Sequence, residues 1–389
     1  MLRIPSLLLC LASTATALLN ASVTGGILHQ PGAPDSPINL TFSALGAAIA
    51  AIFQPLPPSG ASNHTLLNST RFSYLTLSGG AWVADAPLAL ADSLILVLTD
   101  GVSVAPADTF EPWRGMIEVN GTDFAGVVSP SGPAGARFVC SDPALSPAAI
   151  WAVGSDNFFV DGLSIFGCGR TGGGAIHLQG APMAWGPTAS GATISGCSIS
   201  NSSRAIWLET ISGVTVDGNE IFNCSGHALD FDAFTHQSAA TNNNIHHNAG
   251  REGIFIEQGA CSIVVSGNTL GPGNGNGVAV FNNDMNLTTG PHFIVSNRIF
   301  DNLNAGIAVG STAPRAGQPD VGLIIAGNQL SGNGVQRRQG FHTNGAQVGV
   351  RWAANANADG VSAFTQSATF KAANITILDP LDREVGLRY

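Results

Sequence analysis

Short apolar strands recur along the chain between residues 149 and 334, and within each strand apolar and polar positions alternate. Six segments align at intervals of 30, 23, 25, 24 and 29 residues: 175–179, 205–209, 228–232, 253–257, 277–281 and 306–310. A second apolar strand follows each of them. Strands this short cannot close a core alone, so successive coils must stack on each other. The pattern predicts an all-β fold, a right-handed parallel β-helix.

The same alternation predicts which side chains are buried. The inward residues are expected to be Ile206, Leu208, Leu229, Phe231, Ile254 and Ile256. An asparagine follows the second strand in five successive coils, at Asn219, Asn243, Asn268, Asn297 and Asn328. We expect these asparagines to adopt left-handed turns and to bond amide to amide along the stack.

The repeat and the regions beside it divide the chain into four predicted parts. Residues 1–17 are typical of a secretory signal peptide, with Arg3 at the positive start, an apolar run and Ala15-Thr16-Ala17 as a cleavage site. Residues 18–71 form an N-terminal segment, in which residues 36–53 predict an amphipathic helix that caps the solenoid. Residues 72–334 form the β-helix, and residues 335–389 form the last coil and a C-terminal cap.

The leader predicts a secreted protein of the extracellular space or cell wall. Nine sequons for N-glycosylation agree with a secretory route and predict a glycoprotein: Asn20, Asn39, Asn63, Asn68, Asn120, Asn201, Asn223, Asn286 and Asn374. Five cysteines remain after cleavage, so at least one thiol is free or bridges two molecules: Cys140, Cys168, Cys197, Cys224 and Cys261.

Charge and hydropathy limit the kinds of partner that we expect the protein to bind. The net charge of -10 argues against nucleic acid and against anionic membranes. Neither apolar stretch near the N-terminus is long enough to span a bilayer. We expect a monomer whose partner is a polysaccharide.

Candidate chemistry lies on the outward side of the first strand of each coil. Four carboxylates fall in three consecutive coils, at Glu209, Asp230, Asp232 and Glu257. Coils stack about 4.8 Å apart, which predicts separations of about 5–10 Å between these groups. Carboxylates this close do not all ionise easily, so at least one should have a raised pKa. An acid and a base are what glycosidic cleavage or proton abstraction requires.

Other polar and aromatic residues are expected at the same edge. His227 and His236 flank the Asp230 strand as further catalytic candidates. The candidates for substrate binding, by charge or by stacking on sugar rings, are Arg204, Arg251, His177, Trp207, Phe255 and Phe281, together with Glu209. Two alternatives stay open. Outward carboxylates can be solvated surface groups, or they can bind Ca²⁺, although no calcium-loop repeat is present and no motif requires a cofactor.

Two stretches of the chain resemble a known family of enzymes. The stretch Ser225-Gly-His-Ala-Leu-Asp-Phe-Asp-Ala-Phe-Thr235 and the stretch Asn248-Ala-Gly-Arg-Glu-Gly-Ile-Phe-Ile-Glu257 are similar to the catalytic coils of alginate (mannuronan) carbon-5 epimerases and related polysaccharide lyases. Asp230 matches the first aspartate of that family, and Glu257 takes the place of the second. The chain departs from the family at two positions, because Asp232 replaces a histidine and His227 replaces a tyrosine.

The resemblance implies proton abstraction at carbon 5 of a uronic acid residue. Arg204 or Arg251 would neutralise the sugar carboxylate, and members of the set Asp230, Asp232, His227 and His236 would move protons. The result would be epimerisation or elimination. Two other functions remain open: a β-helical glycoside hydrolase that uses Asp230 with Asp232 or Glu257, and a glycan-binding or wall protein without chemistry.

Overall fold

The protein is described by a computed structural model. It covers the backbone of residues 20–24, 27–29, 36–37, 41–45, 47, 73–142, 146–169, 173–180, 188–248, 251–281, 291–310, 322–334, 339–343, 350–353, 356–357, 365–366 and 376–378. Side chains are described within residues 41–334 of these ranges. The predicted signal peptide lies outside them.

Three long sheets run the length of the chain, and each coil contributes one strand to each sheet. The site sheet has 11 strands: Leu88–Leu90, Gly115–Asn120, Ala148–Val153, Gly174–Gln179, Arg204–Glu209, Leu229–Phe231, Ile254–Glu257, Val278–Phe281, Ala305–Val309, Gln339–Thr343 and Thr365–Gln366. Its strands pair in parallel, coil on coil.

The second sheet follows the site sheet in each coil. In spatial order its 15 strands are Ser36–Pro37, Ile27–His29, Asn20–Thr24, Ser73–Ser78, Leu94–Leu98, Gly126–Val128, Phe159–Asp161, Thr193–Ser195, Thr215–Asp217, Ala239–Thr241, Val264–Ser266, His292–Val295, Leu323–Ala326, Val350–Ala353 and Thr376–Leu378. Its first two pairings are antiparallel, and those from Asn20–Thr24 onward are parallel.

The third sheet completes each coil with 11 strands. They are Ala81–Ala84, Ser103–Pro106, Arg137–Val139, Ser164–Phe166, Ser198–Ser200, Glu220–Phe222, Asn244–His246, Thr269–Leu270, Arg298–Phe300, Gln329–Ser331 and Ala356–Asn357. A small sheet pairs Ala189–Ser190 with Ile211–Ser212, and Gly132–Ala134 form a single 3₁₀ turn. The architecture is the predicted right-handed parallel β-helix.

The core runs through the middle of the solenoid. The six side chains predicted to point inward all have 0% exposure. Each sits in register above its counterpart, as when Ile206 pairs with Leu229 and Leu229 with Ile254. This stacking confirms the alternation, because a shift by one residue would move every apolar side chain to the outer face.

The predicted asparagine ladder is confirmed, with one correction. The amide Nδ2 of Asn219 donates to Oδ1 of Asn243 at 3.0 Å, and the same contact continues through Asn268 and Asn297 to Asn328. The left-handed backbone lies at the residue before each ladder position, as at Gly218 and Gly267. The ladder asparagines therefore stabilise the turn through side-chain hydrogen bonds, and the left-handed φ angle belongs to the residue before each of them.

A second asparagine column, which the sequence analysis missed, lies after the third sheet. Asn248 donates to Asn274 at 2.7 Å, and Asn302 donates to Asn333 at 2.8 Å. These side chains also bond backbone carbonyls of the preceding coil, as from Asn274 to Ile245 at 3.0 Å. The signal was available in the sequence, because these residues lie five or six places after the first column.

The predicted capping helix over residues 36–53 is not confirmed. Ser36–Pro37 is a strand paired with Ile27–His29, so no helix begins there. Residues 42–45 do form a helical turn, whose Leu45 N–H bonds to the Thr41 carbonyl at 3.0 Å. Phe42 and Leu45 are fully buried in the core. The greater part of residues 46–53 lies outside the described residues. Within the described part of the chain, no helix is long and apolar enough to cross a membrane.

The cysteines divide into two groups. Cys140 and Cys168, in neighbouring coils, form a disulfide with their Cα atoms 5.0 Å apart. Cys197, Cys224 and Cys261 are buried thiols, which agrees with an odd number of cysteines after cleavage of the predicted leader. Burial raises the pKa of Cys197 to about 12, so its thiol is inert at neutral pH.

Candidate functional site

The outward residues of the site sheet form two columns. The first column stacks Trp151, His177, Trp207, Asp230 and Phe255, one residue per coil. The second column carries Gln179 beside Glu209, and Glu257 beside Phe281. Parallel pairing therefore brings side chains that are far apart in sequence onto one face, in the register that the sequence predicts.

Three of the four predicted carboxylates converge. One oxygen each from Asp230, Asp232 and Glu257 lies within 4.8 Å of the other two. Asp232 follows the Leu229–Phe231 strand and keeps its register, because its N–H donates to the Leu208 carbonyl at 2.9 Å. We call these three residues the carboxylate cluster.

Asp230 is the most deeply buried member of the cluster, in which Asp232 is also buried. Its exposure is 0%, although it occupies an outward position, so the expectation that outward positions are solvated is wrong here. Nε of Arg204 lies 3.1 Å from Oδ2 of Asp230. Neither carboxylate oxygen accepts a well-aligned hydrogen bond within the described structure. Asp230 therefore lacks the hydrogen bonds that usually stabilise a buried carboxylate.

Burial gives two members of the cluster a higher pKa than an ordinary carboxyl group has. It raises the pKa of Asp230 well above the usual range, and the charges of Asp232 and Glu257 add to this shift. Arg204 opposes it, but burial is the larger effect. Burial and the charge of Asp232 also raise the pKa of Glu257, which is half-buried. The cluster can therefore retain a proton where isolated carboxyls have lost theirs.

Trp207 links the cluster to the preceding coil. Its Nε1 donates a hydrogen bond to Oδ2 of Asp232 at 3.0 Å. The indole stacks on His177 with ring centroids 4.2 Å apart, and the Arg204 guanidinium lies 4.3 Å from the centre of the Trp207 rings. These contacts already occupy the indole. Trp207 is thus better placed to hold Asp232 than to offer an open face to a sugar.

His227 is held next to the cluster by a residue that sequence reasoning missed. Its Nδ1 lies 2.7 Å from Oε2 of Glu252, and its ring stacks on Phe255 at 4.5 Å. Burial alone would raise the pKa of Glu252, but the hydrogen bond and charge of His227 produce a net lowering. Asn276 also donates to Glu252 at 3.2 Å. Glu252 directly precedes the apolar strand, a position that pattern analysis treats as a turn.

The other predicted site residues lie outside the carboxylate cluster. His236 is in the turn after the site sheet, where its backbone bridges to Ser212 and Cys261. Burial lowers the pKa of His236, while a hydrogen bond to the Gly259 backbone opposes that shift. Arg251 is exposed just before the Phe255 strand. Phe281 packs edge-on to Phe255 at 5.8 Å.

Glu209 separates from the other three carboxylates. Its Oε2 lies 3.5 Å from Nε2 of His177, one coil back. Both residues line a cavity of about 310 Å³ on the N-terminal side of the cluster, together with Trp113, Trp151 and Gln179. Sequence reasoning missed Trp113 and Trp151, because both lie before the first of the six aligned segments, which begins at residue 175.

The carboxylate cluster could hold a metal ion, since each member offers one oxygen. Calcium usually takes six to eight oxygen ligands. Asp230, moreover, already faces the Arg204 guanidinium at 3.1 Å, which repels a cation. The described residues therefore fit a cation site poorly, and none of the chemistry below uses one.

Comparisons with known proteins agree with this architecture. A family model for the right-handed β-helix region matches residues 145–293. No curated protein sequence matches the chain. Among solved structures, the A-module of a mannuronan C-5 epimerase from Azotobacter vinelandii is 15% identical, with a TM-score of 0.50 over 79% of this chain and 80% of that one.

Two other similar structures have different roles. A polygalacturonase from Erwinia carotovora ssp. carotovora is 12% identical, with a TM-score of 0.53 over 78% of this chain and 90% of that one. A surface adhesin of Streptococcus pneumoniae is 10% identical, with a TM-score of 0.51 over 89% and 92%. The chain is a right-handed parallel β-helix that resembles alginate epimerases and pectin-lyase-like proteins in fold. At these identities the likeness defines the fold alone, and function must be argued from the site.

Proposed function

We propose that the protein is a secreted enzyme that acts on a uronic acid polysaccharide by proton transfer at carbon 5. The supporting observation is the carboxylate cluster, in which three oxygens lie within 4.8 Å and burial raises the pKa of two of the three groups. An acid and a base at one point are what this chemistry needs.

The two members of the cluster that are not completely enclosed, Asp232 at 6% exposure and the half-buried Glu257, take the direct roles. The Asp232 carboxylate, oriented by Trp207, removes the proton from carbon 5. The electron pair of the broken C–H bond passes into the sugar carboxylate, whose charge Arg251 at the exposed rim stabilises. Asp230 is fully buried and acts from beneath, while burial and the charge of Asp232 favour the protonated form of Glu257.

The second proton transfer decides the product. His227, held by Glu252, or protonated Glu257 returns a proton to carbon 5 from the opposite face, which gives epimerisation. If the proton goes instead to the oxygen on carbon 4, the carbon–oxygen bond breaks and a double bond forms between carbons 4 and 5. His236 has no contact with the cluster among the described residues, so we give it no direct role.

A hydrolase is the second candidate, and one observation favours it. Carboxyl groups of retaining glycosidases lie about 5–5.5 Å apart, close to the spacing within the cluster. In that reaction Glu257 would protonate the leaving oxygen and Asp232 would attack the anomeric carbon. A glycan-binding protein without turnover is the remaining alternative.

One assay distinguishes these functions. The secreted protein is incubated in deuterated water with polymannuronate, polygalacturonate and a neutral glucan. Deuterium at carbon 5 reports epimerisation, ultraviolet absorbance of the new double bond reports elimination, and new reducing ends without that absorbance report hydrolysis. We expect deuterium or the double bond on a uronic polymer, with full activity in the presence of a chelator. Loss of activity in chelator would instead support the Ca²⁺ alternative.

The matched variants are Glu257→Gln and Glu220→Gln. Glu220 is an exposed glutamate on the third sheet, away from the site. Glu257→Gln should reduce turnover by about 100- to 10,000-fold, because a proton donor is lost. Glu220→Gln should retain full activity. Equal turnover in the two variants would refute the cluster as the reaction centre.

Secretion is part of this proposal. The Cys140–Cys168 disulfide favours an oxidising compartment. The sequons at Asn120 and Asn223 place their asparagines on the surface, where a glycan can be attached. N-terminal sequencing of the protein from culture medium should begin after Ala17, and glycosidase treatment should lower its mass. Retention inside the cell with an intact N-terminus would contradict this part.

A further inference from the structure

The cavity on the N-terminal side of the cluster has its own chemistry. It measures about 310 Å³, at the lower end of the range for small-molecule sites. Trp113 has 64% of its surface exposed, which is unusual for a tryptophan. Within the described residues, the cavity therefore combines an open aromatic surface with the polar side chains of Gln179 and Glu209.

The inner rings of the cavity are stacked against each other. Trp151, His177 and Trp207 lie nearly parallel, with centroids 5.5 and 4.2 Å apart and interplanar angles of 10° and 7°. Both faces of His177 are covered by its neighbours, Trp207 contacts His177 and the Arg204 guanidinium, and Trp151 is only partly exposed. Trp113, at 64% exposure, therefore offers the most open ring surface among the described lining residues.

The charge of the cavity disfavours an anionic ligand. Arg114 forms a bidentate ion pair with Glu118 and lies 3.7 Å from Glu111, so two carboxylates neutralise its charge. Glu209 adds a carboxylate with 24% of its side chain exposed. Among the described residues that line the cavity and the two ion-pair partners of Arg114, a uronic acid residue would meet carboxylates that outnumber the one arginine, whereas a neutral sugar would find hydrogen-bonding groups and an aromatic surface.

The cavity is continuous with the carboxylate cluster. Trp207 lines it and also donates to Asp232. Trp151 and Asp230 are three coils apart in one column, a distance of about 14 Å at the coil spacing. A single sugar ring does not reach across this distance, whereas one oligosaccharide chain is long enough to contact both places.

We propose that this cavity is a subsite for a neutral sugar, so that the substrate carries neutral residues as well as uronic acid residues. The inference rests on the proposed function only in assigning both places to one polymer. A mixed polysaccharide would place its neutral sugar against Trp113 and its uronic acid at the cluster.

The test is a binding titration that needs no turnover. Tetrasaccharides from xylan, mannan, a β-glucan, polymannuronate and polygalacturonate are titrated into the full-length protein, by calorimetry and by tryptophan fluorescence. Trp113→Ala is compared with Phe166→Ala, which removes an exposed aromatic of the third sheet. At least one neutral tetrasaccharide should bind, about tenfold more weakly to Trp113→Ala and equally well to Phe166→Ala.

A charge variant gives a second readout. Glu209→Gln should increase the affinity for uronic tetrasaccharides, because a negative charge leaves the cavity. The subsite is refuted if every neutral tetrasaccharide binds with a Kd above roughly 10 mM, or if Trp113→Ala binds them as well as Phe166→Ala does. Because binding is measured without catalysis, a protein inactive on every polymer would refute the proposed function and leave this inference to the titration.

Discussion

The indole Nε1 of Trp207 donates a hydrogen bond to Oδ2 of Asp232 in the next coil, over 3.0 Å. The two residues are 25 positions apart in sequence and meet because their coils stack in register. The backbone N–H of Ala233 binds the other carboxylate oxygen at 2.7 Å. Asp232 is thereby fixed in one orientation, as a proton acceptor in catalysis must be.

Trp207→Phe should remove the orienting bond while keeping the stacked ring. Hydrogen bonds to charged groups contribute about 1.5–3 kcal/mol, so we expect kcat to fall about 10-fold or more. KM should change little, because the ring still packs on His177, while the melting temperature should fall by a few degrees because the same bond also stabilises the fold. The measurement is steady-state kinetics on the active polymer with thermal unfolding in parallel. Equal kcat in the two proteins would remove Trp207 from the mechanism.

Asp230→Asn should change how stability depends on pH. Burial raises the pKa of folded Asp230 above its ordinary value of 3.8, so the folded state holds a proton that the unfolded state releases above about pH 4. Wild-type stability therefore falls as pH rises from there through the folded pKa. The amide cannot lose a proton, so the variant lacks this decline. Its melting temperature relative to wild type should increase between about pH 4 and pH 8. A constant difference across this range would contradict the assignment.

Asn243→Leu should break the asparagine ladder in the core. Oδ1 of Asn243 accepts both the backbone N–H and the side-chain amide of Asn219 at 3.0 Å, and its Nδ2 donates to the Val216 carbonyl at 2.9 Å. Leucine leaves these buried groups unpaired, at a cost of about 2–5 kcal/mol. Asn244→Leu, at an exposed position of the next strand, is the matched control. Chemical denaturation of both variants measures the difference, and similar midpoints would show that the ladder stabilises little.

Arg251→Ala should weaken the binding of uronic polymers and leave neutral polymers unaffected. Arg251 is exposed, so the effect should be modest, about two- to fivefold in KM, and it should decrease as salt is added. Arg298→Ala, an exposed arginine on the third sheet, is the control. Titrations of charged and neutral polymers at two ionic strengths provide the measurement. Equal losses in both variants would indicate only a general effect of net charge.

Much of the fold could be predicted because the β-helix repeats a local rule. The alternation at Ile206 and Leu229 determines which side chains face the core and which face outward. The spacing of asparagines such as Asn243 determines how successive coils align. The end of the solenoid could not be predicted in the same way. Pro37 suits the first turn of a helix, but Ser36–Pro37 instead pairs with Ile27–His29 in an antiparallel hairpin.

The sequence predicts which site residues stack on each other. It does not predict how deeply their side chains are buried or which partners they contact. Period-two alternation places Asp230 outward, and nothing in that pattern shows that Arg204 and its neighbours enclose the side chain. The partner of His227 is a residue in a turn, Glu252, whose position depends on the path of the loop. The separation of Glu209 from the cluster likewise accompanies its contact with His177, one coil back, which strand register alone does not predict.

The asparagine ladder makes the solenoid modular. The side-chain amides of Asn219, Asn243, Asn268 and Asn297 each donate to the asparagine of the next coil, so these coils present the same acceptor on their N-terminal side and the same donor on their C-terminal side. A duplicated coil inserted after Asn268 would meet matching hydrogen bonds on both sides and would leave the carboxylates in place. Internal duplication can thus lengthen or shorten the groove in whole-coil increments, which gives the scaffold a route to polymers of different chain length without altering its reaction centre.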